Sequence, residues 1–188
     1  MSKVVITGNA SGTGDFTIEA PNSNTDRTLT LPDETGTVLT TATAGVPVNG
    51  PAFSAYQSTL QSISTATFTK IQFQTEQFDT SSAFDNATNY RFTPLVAGYY
   101  QITLSMQTVN SISILGSLYF NGAAIAQSVG VPISAVANPT IIISKLVYMN
   151  GSTDYIEGYV YQNSGGAVNS STGLGNTFFQ GVMVRSAV

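Results

Sequence analysis

The sequence predicts an all-β protein, a base of short strands followed by a two-sheet sandwich of the jelly-roll kind. Three observations carry that prediction. Tyr99 to Thr108 alternates, with Tyr100, Ile102, Leu104 and Met106 on one side and Tyr99, Gln101, Thr103, Ser105 and Gln107 on the other, the period of a strand with one buried face. Asn-Gly pairs stand at 121–122 and 150–151, and both residue types tolerate the positive φ that tight hairpins require. No segment repeats its apolar residues at the helical period.

The elements follow in order. Val4 to Thr7 is a short strand signal before the turn-rich Gly8 to Gly14; Phe16 to Ala20 alternates; Leu29 and Leu31 alternate with Thr28 and Thr30 before Pro32-Asp33. Three short strands cannot bury an independent core, so this region needs partners. Gly45, Pro47, Gly50 and Pro51 punctuate a linker over 40–50, which places the domain boundary near Gly50. Residues 51–188 read as strands throughout: Phe68 to Phe73, Tyr99 to Thr108, Ser117 to Phe120 into the Asn121-Gly122 turn, Ile141 to Tyr148, Tyr155 to Tyr161, and Phe178 to Arg185. Ile141 to Tyr148 (IIISKLVY) is apolar on both faces, which implies that one meets the core and the other a neighbour.

Composition excludes several classes of function. Of the 188 residues 42% are hydrophobic and only 9% charged, against about 25% charged in an ordinary domain. Disordered chains have the opposite balance, whereas depleted charge suits a large subunit interface. The six Lys and Arg are scattered and the net charge is −4, so the basic footprint of a nucleic-acid-binding protein is missing. No apolar run approaches the ~20 residues of a membrane-spanning helix. Met1 to Thr7 is too short for a secretory leader. Cys and His are both absent, which removes disulfides, thiolate metal sites, the usual zinc ligands and the Ser-His and Cys-His constellations. No cofactor is expected.

Phe84 to Ile102 reads FDNATNYRFTPLVAGYYQI. It resembles the signature of the complement C-one-q and tumour-necrosis-factor-like superfamily, with Phe92, Gly98, Tyr100 and Ile102 at the matching places. Pro51 to Tyr56 looks like that family's first strand, Leu118 to Ile125 like its central hairpin, and Thr177 to Val184 like its last strand, with Phe179 and Gly181 in position. The resemblance implies a ten-stranded jelly roll and a tight homotrimer. Gly98, opening a long strand, reads as a place where a turn needs backbone freedom. The apolar strand is the expected interface, through Ile141, Ile143 and Val147, with Tyr159 and Tyr161 joining it. The first region resembles a module of tail-fibre and appendage proteins of tailed phages, carried by the Gly-rich turn, Ala20-Pro21, the Thr-Leu strand and Leu31 to Asp33.

Together these imply a non-enzymatic structural protein of a phage virion, a short trimeric fibre or decoration knob. Residues 1–50 would attach to other virion proteins of the capsid or tail, and 51–188 would form the exposed head. The alternative is a receptor-binding tip that adheres to a host surface glycan, for which Tyr155, Tyr159 and Tyr161 are candidate stacking rings. The pairs Glu76/Asp79 and Asp154/Glu157 lie three apart, which on a strand points side chains to opposite faces, a poor arrangement for a glycosidase. Asp79, Asp85 and Asp154 are oxygen donors of the kind calcium prefers, but no loop concentrates them. Lys70 and Lys145, each on a strand among apolar neighbours, are candidates for desolvation.

Overall fold

The computed structural model describes residues 50–111, 113–131 and 138–187, together with positions 11–13, 17, 22, 24–26 and 28. The strands expected before residue 50, and the linker, fall almost wholly outside the described residues. The chain forms two compact units, Met1–Val38 and Leu39–Val188. All the described strands belong to the second.

Those strands are β1 (Ala52–Tyr56), β2 (Ser62–Ile63), β3 (Thr69–Lys70), β4 (Thr75–Asp79), β5 (Phe84–Asp85), β6 (Arg91–Phe92), β7 (Gly98–Gln107), β8 (Ile114–Phe120), β9 (Ala123–Gly130), β10 (Thr140–Met149), β11 (Ile156–Gln162), β12 (Val168–Asn169) and β13 (Phe178–Ser186). The first sheet has the order β10-β7-β13-β1-β4 and the second β5-β6-β11-β8-β9, with β3 also paired to β11; β12 and β2 form a small ladder of their own. Every strand pairing is antiparallel. Asn121 and Gly122 take φ of 49° and 81°, so the hairpin between β8 and β9 forms where the Asn-Gly pair foretold it. The second Asn-Gly pair instead carries the chain from β10 in the first sheet to β11 in the second.

The core lies between the sheets. Tyr100, Ile102, Leu104 and Met106 of β7 are fully buried, as their alternation predicted. Six aromatic rings fill the centre. Phe53 stacks on Phe92 at 4.3 Å and on Phe84 at 5.0 Å, and meets Phe179 edge-on at 5.2 Å; Phe73 and Tyr100 complete the group. Each such side chain contributes about 1.5–3 kcal/mol by leaving water. The Tyr100 hydroxyl donates to the Val96 carbonyl at 2.7 Å, so its polar end is satisfied inside.

The two signature glycines are explained by crowding. A Cβ on Gly98 would stand 2.5 Å from the Arg185 carbonyl oxygen of β13, and one on Gly181 would meet Ile102 and Phe53 at 2.6 and 2.8 Å. The expectation that Gly98 serves a turn is therefore corrected: what it allows is close approach of two strands.

At the end of the sandwich where β1 finishes and β13 begins, amides hold the connections. Buried Gln57 donates through Nε2 to Gln61 Oε1 and to the Gln72 carbonyl, and Gln61 Nε2 donates to the Lys70 carbonyl. Buried Gln162 donates to the carbonyls of Ile63 and Gly166 and accepts from Ser164 N–H. Gln57 Oε1 is the one buried side-chain acceptor without a partner among the described residues.

Candidate interaction surfaces

Two sheets give two outward faces. On the first sheet, β10 turns Ile142, Leu146 and Tyr148 outward, at 64%, 53% and 48% exposure, and Tyr99, Val182 and Val184 join them from β7 and β13. Tyr99 and Tyr148 meet edge-to-face at 5.4 Å. A shallow groove of about 730 Å3 runs past Tyr99, Leu146, Tyr148, Val184 and Arg185. Toward the other end the face becomes polar but stays uncharged: Gln101 Nε2 donates to Ser144 Oγ, Thr103 bonds the same hydroxyl, and Gln107 Nε2 donates to Thr140 Oγ1. An apolar area with neutral polar surroundings has the composition of a subunit interface.

The residues expected to form that interface lie elsewhere. Ile141, Ile143 and Val147 are only 2%, 5% and 9% exposed, because the register Ile143 opposite Leu104 and Val147 opposite Tyr100 turns them into the protomer's own core. Tyr159 and Tyr161 belong to β11 in the second sheet. The five residues therefore share no surface. The outward positions of the same strand, Ile142, Leu146 and Tyr148, replace the three isoleucine and valine positions as contact candidates. Phe92, Tyr100, Ile102 and Phe179 are fully buried.

The second sheet's outward face is aromatic. Tyr161 lies 5.3 Å from Phe68, Phe68 lies 6.1 Å from Tyr119, and Tyr119 lies 4.2 Å from Tyr159. Phe68 and Tyr119 were not singled out in the sequence; the alternation of β8, which sends Tyr119 opposite Glu157, is the signal that would have found the second. One ion pair closes within the protomer here, and a second cation rests on a ring. Lys70 Nζ bonds Glu157 Oε1 and the Asn89 carbonyl, and lies over the Tyr159 ring; Arg91 stacks on Tyr155 at 4.3 Å. The Glu157 side chain is 5% exposed, its partner Lys70 31%. Burial, aided by the Glu157 carboxylate, pushes the Tyr159 hydroxyl up to about 12. It therefore stays protonated and can donate to Glu157 Oε2, 3.4 Å away.

The acidic loop residues serve their own loops. Asp85 accepts the N–H groups of Ala87, Thr88 and Asn89 and the Asn89 side chain. These bonds, Thr88 foremost, hold its carboxyl down at about 2 against the opposing effect of burial. Asp79 accepts from Ser81 and Phe84, and Asp154 from Asn121 and Asn150. Among the described residues no three His, Cys, Asp or Glu side chains gather as a metal site. Lys145 is exposed and Lys70 is paired. Glu76 is raised by burial and by nearby Asp79, on the edge strand β4.

The architecture is that of a tumour-necrosis-factor-like jelly roll. Eiger TNF from S. frugiperda is similar in structure, with a TM-score of 0.57 at 12% identity over 74% of this chain and 96% of that one. Murine APRIL, in the crystal structure at pH 5.0, gives 0.57 at 10% identity over 72% and 99%. No protein-family model matches the sequence, and no curated protein matches it.

Proposed function

We propose that the protein is a non-enzymatic structural component of a tailed-phage virion, a homotrimeric knob attached through residues 1–50. The observation that carries the trimer is the outward face of the first sheet. Its outward positions on β10, β7 and β13 include Ile142, Leu146, Tyr148, Tyr99, Val182 and Val184, with Arg185 the charged residue of the groove. A second copy covering this face would bury aliphatic and aromatic surface, provided that Arg185 in the groove and exposed Lys145 stay at the rim of the contact. The fold of the head supports the same reading, and the resemblance of Gly8 to Asp33 to phage appendage modules supports the virion. The lack of His and Cys, with Asp79, Asp85 and Asp154 bonded into their own loops, supports a role without covalent chemistry.

Sedimentation of the full chain should give three times the monomer mass. Leu146→Asp with Val184→Asp should give a folded monomer. A wild-type monomer at micromolar concentration would overturn the trimer. Deleting residues 1–40 should yield protein that no longer joins phage particles; particles that still carry it would overturn the attachment role.

A further inference from the structure

We propose that the outward face of the second sheet, at Phe68, Tyr119, Tyr159 and Tyr161, is a binding platform for the uncharged pyranose rings of an oligosaccharide. The inference goes beyond the structural role and shares with it only the premise that copies of the chain cover the first sheet. The four rings form one unbroken strip, with neighbouring centroids 4.2–6.1 Å apart. Phe68 is 37% exposed and the three tyrosines are half-buried. The positions Tyr155 to Tyr161 extend the strip to about 20 Å along β11. Ring faces carry partial negative charge, and the C–H groups of a pyranose face carry the complementary positive charge.

Charge favours a neutral partner along the strip itself. Lys70 is neutralised by Glu157, and the remaining cation, Arg91, lies on Tyr155 rather than on one of the four rings. The rings by themselves are small for a contact with a second copy of the chain. Aromatic side chains of about 200 Å2, at most about a third exposed, offer roughly 250 Å2, against the ~800 Å2 per partner of a stable protein interface. A ligand with an apolar face and a neutral hydroxyl rim matches both.

The test is saturation-transfer NMR on the full chain with maltopentaose, cellopentaose, chitotetraose and galactobiose. At least one should receive transfer at its ring C–H protons. Phe68→Ala and Tyr161→Ala should each reduce that transfer at least fivefold, with the melting transition unchanged; Tyr161→Phe, which keeps the ring, should retain most of it. Leu146→Asp with Val184→Asp on the opposite sheet should leave it unaltered, so loss of the trimer and loss of sugar binding are read separately. Transfer to none of the four sugars, or equal transfer in the two alanine variants, would overturn the proposal. So would a change of sedimenting mass in Phe68→Ala, which would make the face a contact between copies.

Discussion

On the first sheet Ile142, Leu146, Tyr148, Val182 and Val184 stand exposed, and the side chains bonded to one another beside them, Gln101 and Ser144, are neutral. On the second sheet every ring of the strip touches another ring, and Lys70 and Glu157 satisfy one another. The first face gains from being covered, because aliphatic surface in water costs free energy in proportion to its area. The second face has closed its Lys70–Glu157 ion pair within one protomer and can stay wet. On the proposed reading, one sandwich would separate assembly from display by giving the two tasks to opposite sides.

Adjacent residues of β10 offer the harshest way to break this comparison. Ile143→Asp places a carboxylate in the core and should destabilise the protomer by about 4 kcal/mol or more. Ile142→Asp, one residue away and pointing outward, should leave the protomer's stability within about 0.5 kcal/mol. Urea midpoints would check both, measured in the Leu146→Asp, Val184→Asp background so that association does not contribute. Similar midpoints for the two variants would mean that the faces of β10 are wrongly assigned.

The pairing on the second sheet can be sharpened next. Lys70→Met leaves the Glu157 carboxylate nearly buried without its partner and should cost about 2 kcal/mol, discounted because Lys70 is itself about a third exposed. Adding Glu157→Gln should restore at least half of that. Thermal melts of the single and double variants give the comparison; additive losses would show that the two side chains do not act as a pair.

The smallest effect lies one step behind, in the loop that presents the Asn89 carbonyl to Lys70. Asp85 has a folded pKa of about 2, below the ~3.9 of an unfolded chain. Its stabilisation is therefore complete above about pH 4 and lost as the pH falls toward 2. Asp85→Asn should lower stability by about 1 kcal/mol at pH 7, the figure discounted for partial exposure, and by almost nothing at pH 2. A pH-independent difference in urea midpoint would refute the role of the ionised carboxylate.

Strand β7 was legible in the sequence because Tyr100, Ile102, Leu104 and Met106 leave only one choice of inner face. Strand β10 was legible as a strand covered on both sides, but with Ile141, Ile142, Ile143, Leu146 and Val147 the two sides look alike. Only the register against β7 decides which is inside, and register is a property of two segments about forty residues apart. The face shared by Tyr155, Glu157, Tyr159 and Tyr161 followed from period two. Its partners Phe68, Lys70 and Tyr119 come from segments that no local pattern joins to it. The two-residue ladder of β2 with β12 is too short to carry a periodic signal, and the Gln162 bond to the Ile63 carbonyl spans 99 residues.

The glutamines that tie the connections at that end of the sandwich have a physical consequence of their own. An amide neither gains nor loses a proton across the range in which proteins live, and dissolved ions do not screen it as they screen a surface ion pair. With no histidine in the chain, no side chain of ordinary pKa titrates between about pH 5 and 8. Gln57, Gln61 and Gln162 therefore hold the loops around them by bonds that neither titrate in mildly acid or mildly alkaline water nor depend on an ion pair of their own.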